Sequence, residues 1–321
     1  MSAKPVTAAN AAMRRIDAVI RAAVWFVLGA AGLYLGLALW FGWRDLGAAL
    51  LQLGAGALLA GAGISMITYL LRFVRWQHVL RAMSMPVPAR LSLPIYTSGL
   101  ALTASPGKIG ETMRTILLMR LGVPAGAGLA AFFIDRFSDL VGVFALTALS
   151  GRRLSWWLGT AAITAFGLAL GWLTGHPRAQ RWLKTPLRQG SLNRLRCLAE
   201  TGRTYFLAAW RPQALAYYAF IAVVAYGLQA MVFAAYVGRL WPALDSIRAI
   251  HIFCVATLAG AASMLPGGLG AMELAVIGLL VDDGVPVTLA TAAAVAIRTV
   301  TLWHGILLGV ASLLVIRKHL P

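Results

Sequence analysis

An apolar run in this chain is broken twice by helix-disrupting residues, and the two breaks carry the same anchors at the same spacing. The first reads Pro106-Gly107-Lys108-Ile109-Gly110-Glu111, followed by Gly122-Val123-Pro124 and then Arg136. The second reads Pro266-Gly267-Gly268-Leu269-Gly270-Ala271-Met272-Glu273, followed by Gly284-Val285-Pro286 and then Arg298. In both copies the Arg lies 25 positions after the Glu and 12 after the Val-Pro proline. The second copy differs by two extra residues between its first proline and its Glu. A Gly/Pro break with an ionisable pair inside an apolar segment, present twice, is the pattern of a transporter-like core built from internal repeats. Spacing, identity and ionisable type agree at several anchors together, which argues against a chance match of small residues.

Hydrophobic residues make up 60% of the chain. The long runs are rich in Leu, Ala and Gly and show no sustained period-2 alternation. They predict helices rather than a barrel, because backbone polar groups in lipid must be satisfied within a helix or a closed sheet. The expected fold class is an all-α integral membrane protein with about six full transmembrane helices plus two re-entrant helical hairpins related as an inverted-topology repeat. Cys197 and Cys254 lie far apart and imply neither a disulfide framework nor a metal site. The N-terminus is polar to about Ala22, and the first apolar run is long enough to span, so no cleavable signal peptide is expected. A net charge of +18 is read as basic loops meeting anionic headgroups, not as nucleic-acid binding.

Along the chain, residues 1–21 form a basic, cytoplasmic-looking leader, and a single transmembrane domain covers 22–316. Full spans are expected at about 22–41, 47–71, 125–149, 155–174, 213–238 and 287–316. The broken segments 91–121 and 246–281 have halves too short to cross a core that requires about 20 residues, so each is read as a re-entrant hairpin. Repeat 1 covers about 91–149 and repeat 2 about 246–316. Tyr69, Arg72, Arg75 and Trp76 close the second span and read as interface anchors, with Arg72 and Arg75 as further headgroup contacts. The basic segment 176–211 is read as a headgroup-facing surface, and 317–321 as a cytoplasmic tail. Placing both termini in the cytoplasm puts 18 of the 28 Lys and Arg residues in the four inner segments. In that orientation the two hairpins enter from opposite sides of a bacterial-type inner membrane, and their breaks meet near the midplane.

Ten acids occur in the chain, and four of them, Glu111, Asp135, Asp139 and Glu273, fall inside the expected membrane elements together with Arg136 and Arg298. A mid-bilayer charge costs roughly 2.5–3.5 kcal/mol on insertion scales, so these groups must pair or line a wet cavity. Asp135 and Asp139 share a helix face at i,i+4. Glu111 and Glu273 are expected to take Arg136 and Arg298 as partners, with the pairing order open. One reading makes these pairs struts between half-helices and full spans; the other makes them ligands or gates for a polar headgroup. Lys108 with Arg114 sits at the start of a half-helix, where free N–H groups attract a phosphate, or else the lysine snorkels to water. His304, in the last span, reads as hydrogen-bonded packing or as a proton relay. No P-loop, nucleophile elbow or zinc motif is present, and no cofactor or metal is expected.

On Pro106-Gly107-Lys108-Ile109-Gly110-Glu111 with Arg114, on Asp135-Arg136 and Asp139, and on Pro266-Gly267-Gly268-Leu269-Gly270 with Glu273, the chain resembles the lysylphosphatidylglycerol synthase transmembrane-region family. The resemblance covers about residues 20–316. It includes the flippase domain of the multiple peptide resistance factor and stand-alone bacterial membrane proteins, some associated with hopanoid biosynthesis. It implies a lipid-handling domain that flips aminoacylated phosphatidylglycerol in the best-known case. The sequence runs to Pro321 without a stretch resembling the soluble aminoacyl-transferase domain, so the translocation half alone is expected.

The leading expectation is therefore a lipid flippase or transporter and not an enzyme. Lys108, Arg114, Arg136 and Arg298 would bind an anionic headgroup, while Glu111, Asp139 and Glu273 would hold those arginines or meet a cationic portion. The breaks at Pro106, Gly107, Gly110, Pro266, Gly267, Gly268 and Gly270 would let the hairpins open alternately. Two competitors stand beside it. One is a membrane enzyme that uses Asp135 and Asp139 as acid and base on a lipid headgroup. The other is a non-transporting partner in a lipid-biosynthesis complex. Expected partners are membrane lipids, anionic or phosphate-bearing, with a homo-oligomer and lipid-biosynthesis enzymes as further candidates.

Overall fold

The computed structural model describes residues 43–101, 103, 113–151, 153–177 and 191–319, with Trp25, Gly29, Gly32 and Gly36 also placed as helical. The leader 1–21, most of the expected first span, the first break with Pro106, Gly107, Lys108, Gly110 and Glu111, and residues 178–190 lie outside the described residues.

Every regular element among the described residues is a helix. The order is α1 (Trp43–Leu53), α2 (Ala55–Ala82), α3 (Ala89–Ala101), α4 (Met113–Arg120), α5 (Ala125–Gly151), α6 (Leu154–Gly175), α7 (Ser191–Ala209), α8 (Pro212–Leu240), α9 (Ser246–Ala262), α10 (Ala271–Asp282), α11 (Val287–Arg298) and α12 (His304–His319). The segments α2, α6, α8 and the continuous Val287–Ile316 are long and apolar enough to cross a membrane. At about 1.5 Å per residue, the 29 residues of α8 exceed a 30 Å hydrocarbon core. The 27-residue α5 matches them in length but carries Asp135, Arg136 and Asp139 at its centre. The protein is an all-α membrane protein.

Local signals set the helix ends. Asp245 caps α9 by accepting from the Ile247 and Arg248 backbone N–H groups at 3.1 and 3.2 Å. Pro212 opens α8 in the first turn, where its missing N–H costs nothing. Gly54, at φ +77, divides the second apolar run, so α1 and α2 replace the single span expected over 47–71. The second of these helices continues to Ala82, past Arg72 and Arg75.

The two copies of the motif fold alike at their Gly-Val-Pro turns. Gly122 and Gly284 both take positive φ, at +81 and +84. Val123 N–H bonds the Leu118 carbonyl at 3.2 Å, and Val285 N–H bonds the Leu280 carbonyl at 2.9 Å. The proline in each then starts a long helix, α5 in the first copy and α11 in the second. Arg248, at the start of α9, makes a two-pronged ion pair with Asp283, just past α10, at 2.6 and 3.0 Å. That pair closes α9 and α10 into an antiparallel hairpin whose tip is the glycine break.

Packing centres on α5 and α8, which touch each other and between them contact α1, α2, α4, α6, α7, α9 and α11. The apolar core falls into two large clusters, with a small third one of Leu302 and Ile306. One cluster joins Leu53, Val143, Phe233, Val237, Phe253 and Ile297; the other joins Trp76, Leu80, Ile95, Leu117, Ile134 and Tyr218. Along α2, α5 and α8 the residues between these clusters include Arg72, Arg75, Asp135, Arg136 and Asp139. A polar layer therefore separates two oily ones. The segment expected as a headgroup-facing surface contributes to the core as well: α7 packs along α5 and buries Phe206, while Trp210 just beyond it is also buried.

A Cβ at Gly142 would stand 2.6 Å from the Ala222 Cβ and 3.0 Å from its backbone, so α5 and α8 touch through this glycine. Gly142→Val is expected to cost about 1–3 kcal/mol by overpacking. Thermal unfolding in detergent reads this as a lowered midpoint, with Gly238→Val, where nothing lies within 4 Å, as the unaffected control.

Candidate functional site

The polar layer is built on the i,i+4 pair Asp135 and Asp139, which present two carboxylates on one face of α5. Arg75 of α2 lies between them with its side chain wholly buried. Its Nε donates to Asp135 Oδ1 at 3.0 Å and its Nη2 to Asp139 Oδ1 at 2.7 Å; Nη2 also pairs with Asp135 Oδ1. Arg136 takes the other oxygens, with Nη2 at 2.7 Å from Asp135 Oδ2 and Nη1 at 3.3 Å from Asp139 Oδ2. Two further guanidiniums approach without reaching hydrogen-bond distance. Arg114 Nη1, from α4, is 3.6 Å from Asp135 Oδ2, and Arg72 Nη2 is 3.8 Å from Asp139 Oδ2.

Aromatic faces carry those outer two. Arg114 lies 4.2 Å over the Tyr96 ring and 5.7 Å from that of Trp76, and Arg72 lies 4.4 Å over Tyr226. Guanidinium–ring contacts of this kind contribute about 0.5–2 kcal/mol, more when desolvated. Arg114 also needs Gly99, because a Cβ at that position would collide with its Nε.

The second copy is simpler. Arg298 Nε donates to Glu273 Oε1 at 2.7 Å, Nη2 to the Gly267 carbonyl at 2.7 Å, and Nη1 reaches Met272 Sδ at 3.6 Å. One side chain thus ties α11 to the start of α10 and to the glycine turn. That turn needs its glycines: Gly267, Gly268 and Gly270 sit at φ +60, +65 and +82. After Arg298 the chain makes a π-turn over Thr299–Trp303, and the Tyr69 hydroxyl donates to the Thr301 carbonyl within it. The His304 ring stands 6.0 Å from Tyr69.

The two broken segments meet directly, since Gly267 N–H donates to the Thr103 carbonyl at 3.0 Å. Around this junction opens a cavity of about 170 Å³ lined by residues of both copies and of α2 and α8. Four guanidiniums face it, from Arg72, Arg114, Arg136 and Arg298, and no carboxylate among the described residues lines it. Asp135, Asp139 and Glu273 stand behind the arginines, hydrogen-bonded to Arg136 and Arg298 and 3.6 and 3.8 Å from Arg114 and Arg72. Tyr226, also on the wall, is 14 residues from either end of α8, about 21 Å, which puts the cavity at mid-depth.

Of the residues expected from sequence, the structure brings Arg72, Arg75, Arg114, Arg136, Asp139, Glu273 and Arg298 to this one region, with Pro266 and the second set of glycines at its edge. Glu273 pairs with Arg298 inside its own copy. Lys108 and Glu111 lie outside the described residues. Arg75 is no interface anchor: it is the most deeply buried arginine of the cluster, because Asp135 and Asp139 supply what water would. Sequence reasoning passed over Tyr96, Tyr226, Gln229 and Thr103, and read Tyr69 only as an interface anchor. Tyr226 and Gln229 carried a readable signal, as polar groups in the middle of an otherwise apolar helix.

Comparison with known proteins gives two similarities. The lysylphosphatidylglycerol synthase TM region matches residues 20–309. A UPF0104 membrane protein of Methanothermobacter thermautotrophicus is 45% identical over 60 residues, which is 19% of this chain. The matched stretch spans 18% of that relative.

Glu273→Gln and Arg298→Met should each destabilise the fold by about 3–5 kcal/mol, since either leaves a buried charge alone. The double substitution should recover part of that loss. A double-mutant cycle on denaturation midpoints in detergent reads the coupling, with about 0.5–3 kcal/mol expected.

Proposed function

The chain belongs to the lysylphosphatidylglycerol synthase TM region family, and from that premise we propose that it moves a polar or anionic lipid headgroup between leaflets through the cavity between its two motif copies. The observation that carries this reading is the cavity wall: four arginines at mid-depth, held from behind by carboxylates. A purely structural network would turn its charges toward one another and leave no wet face. Acyl chains stay in the bilayer while the headgroup crosses the cavity.

In this reading the two broken segments are re-entrant hairpins of an inverted-topology repeat, entering from opposite sides of an inner membrane with both termini cytoplasmic. The matching Gly-Val-Pro turns and the Gly267–Thr103 contact support that arrangement. Alternate loosening of the tips exposes the cavity to each leaflet. Movement is downhill or ion-coupled, and the lipid leaves chemically unchanged. Membrane lipids are the partners, and a homo-oligomer or lipid-biosynthesis enzymes are further ones.

Reconstituted vesicles test this by reductant quenching of an acyl-labelled phosphatidylglycerol in the outer leaflet. Protein-containing vesicles should pass the half-quenched plateau. Arg136→Ala, checked for monodispersity, should slow the exchange about tenfold or more, the scale of one charge-assisted hydrogen bond of roughly 1.5–3 kcal/mol. Mass spectra of the recovered lipid should show no new species. A changed lipid mass would instead favour an enzyme, and exchange unaffected by the substitution would sink the cavity as the route.

A further inference from the structure

The arginines of the cavity are not equivalent, and their hydrogen-bond accounts separate them. Arg298 has all three nitrogens engaged, by Glu273, the Gly267 carbonyl and Met272 Sδ. Arg75 is locked between Asp135 and Asp139; its Nη1 is also buried without an acceptor, but the side chain does not reach the wall. Arg72 and Arg114 differ from both. Both line the cavity, and both stand beyond hydrogen-bond distance from the nearest carboxylate, at 3.8 and 3.6 Å. Arg72 Nε and Arg114 Nε and Nη1 are buried without an acceptor. Arg114 is 1% exposed. A buried charged donor left unsatisfied is costly, and native structures leave few of them.

Their mounting also suits a ligand. Tyr226 lies under Arg72, and Tyr96 under Arg114. A guanidinium laid flat on a ring keeps its planar fork pointed one way, and that fork matches the paired oxygens of a phosphate. The rest of the wall offers Thr103, Thr257 and Gln229, which are neutral hydrogen-bonding groups, and no carboxylate among the described residues. An ammonium group entering this space would meet four guanidiniums on the lining, while the described carboxylates, Asp135, Asp139 and Glu273, lie off it against those arginines. Like charges at close range in a low dielectric repel strongly.

We propose that Arg72 and Arg114 form a clamp for the phosphate of an anionic lipid whose headgroup bears hydroxyls and no ammonium, with Arg75 and Arg298 as struts. This rests on the translocation reading for the lipid's presence in the cavity, but it concerns binding and selectivity, which are measured separately. Phosphatidylglycerol fits the clamp. Its lysyl ester, which adds ammonium groups, does not.

The test is native mass spectrometry of the full chain in detergent with equal amounts of phosphatidylglycerol, phosphatidylethanolamine and lysylphosphatidylglycerol. Phosphatidylglycerol should be retained at least tenfold over the other two. Arg72→Gln should lower its retention about tenfold, and Arg72→Lys, which keeps the charge but not the fork, should fall between. Because Arg114→Gln risks misfolding, Gly99→Ala provides a second route: it pushes the guanidinium off its seat without removing the charge. Displacement by millimolar inorganic phosphate would support the clamp with the bare anion as sufficient ligand. Retention against phosphate would support it with the lipid as the required one. Equal retention of lysylphosphatidylglycerol, or unchanged phosphatidylglycerol in folded Arg72→Gln and Gly99→Ala, would overturn it. Selective binding without leaflet exchange would leave the clamp standing and remove translocation; exchange without selectivity would do the reverse.

Discussion

The structure depends on one buried contact, the Arg75 guanidinium between the carboxylates of Asp135 and Asp139. None of the three charges is tolerable alone at the centre of an apolar bundle. Together they fix the height of α2 against α5 to within a side-chain length, because a slip of one turn would take Arg75 away from at least one of its two carboxylates. Once that register is set, Arg136, Arg114 and Arg72 have defined places around the same carboxylates. The split of the apolar core into two clusters is the packing expression of the same fact. Oily residues gather above and below a layer that only charged partners can occupy.

Much of this was legible in the sequence, for physical reasons that can be named. The repeated Gly-Val-Pro signal is local, since glycine at positive φ and proline at a helix start need no tertiary context. That Glu273 and Arg298 would each be paired was visible, because an acid or base inside an oily run must find a partner; which Glu met which Arg was not. Arg75 was not visible. Hydropathy compares a residue with lipid, and by that measure an arginine ends a span; the deciding quantity was the presence of two carboxylates 60 and 64 residues away. Gly54 was missed for the opposite reason. A single glycine in an apolar run usually stays helical, and only its positive φ reveals the break. The basic segment before α8 misled through its composition, since Phe206 and Trp210 bury themselves whatever the charge around them.

The two copies share a backbone but not their chemistry. Eleven residues after the Val-Pro proline, the first copy has Asp135 and the second has Ile297, which is fully buried in apolar surroundings. Four residues further on, Asp139 corresponds to Thr301. The first half therefore assembles a network of several arginines around two acids, while the second makes do with one ion pair and a bond to a turn carbonyl. A branched charge network on one side and a single ion pair on the other is an asymmetry that an exact repeat could not have.

The contact between the second break and the first broken segment, from Gly267 N–H to the Thr103 carbonyl, runs from main chain to main chain. No side-chain replacement outside the turn itself deletes its donor or acceptor. Side-chain changes in either half are thereby uncoupled from the alignment of the halves, so the charges around the cavity can change while the seam stays the same.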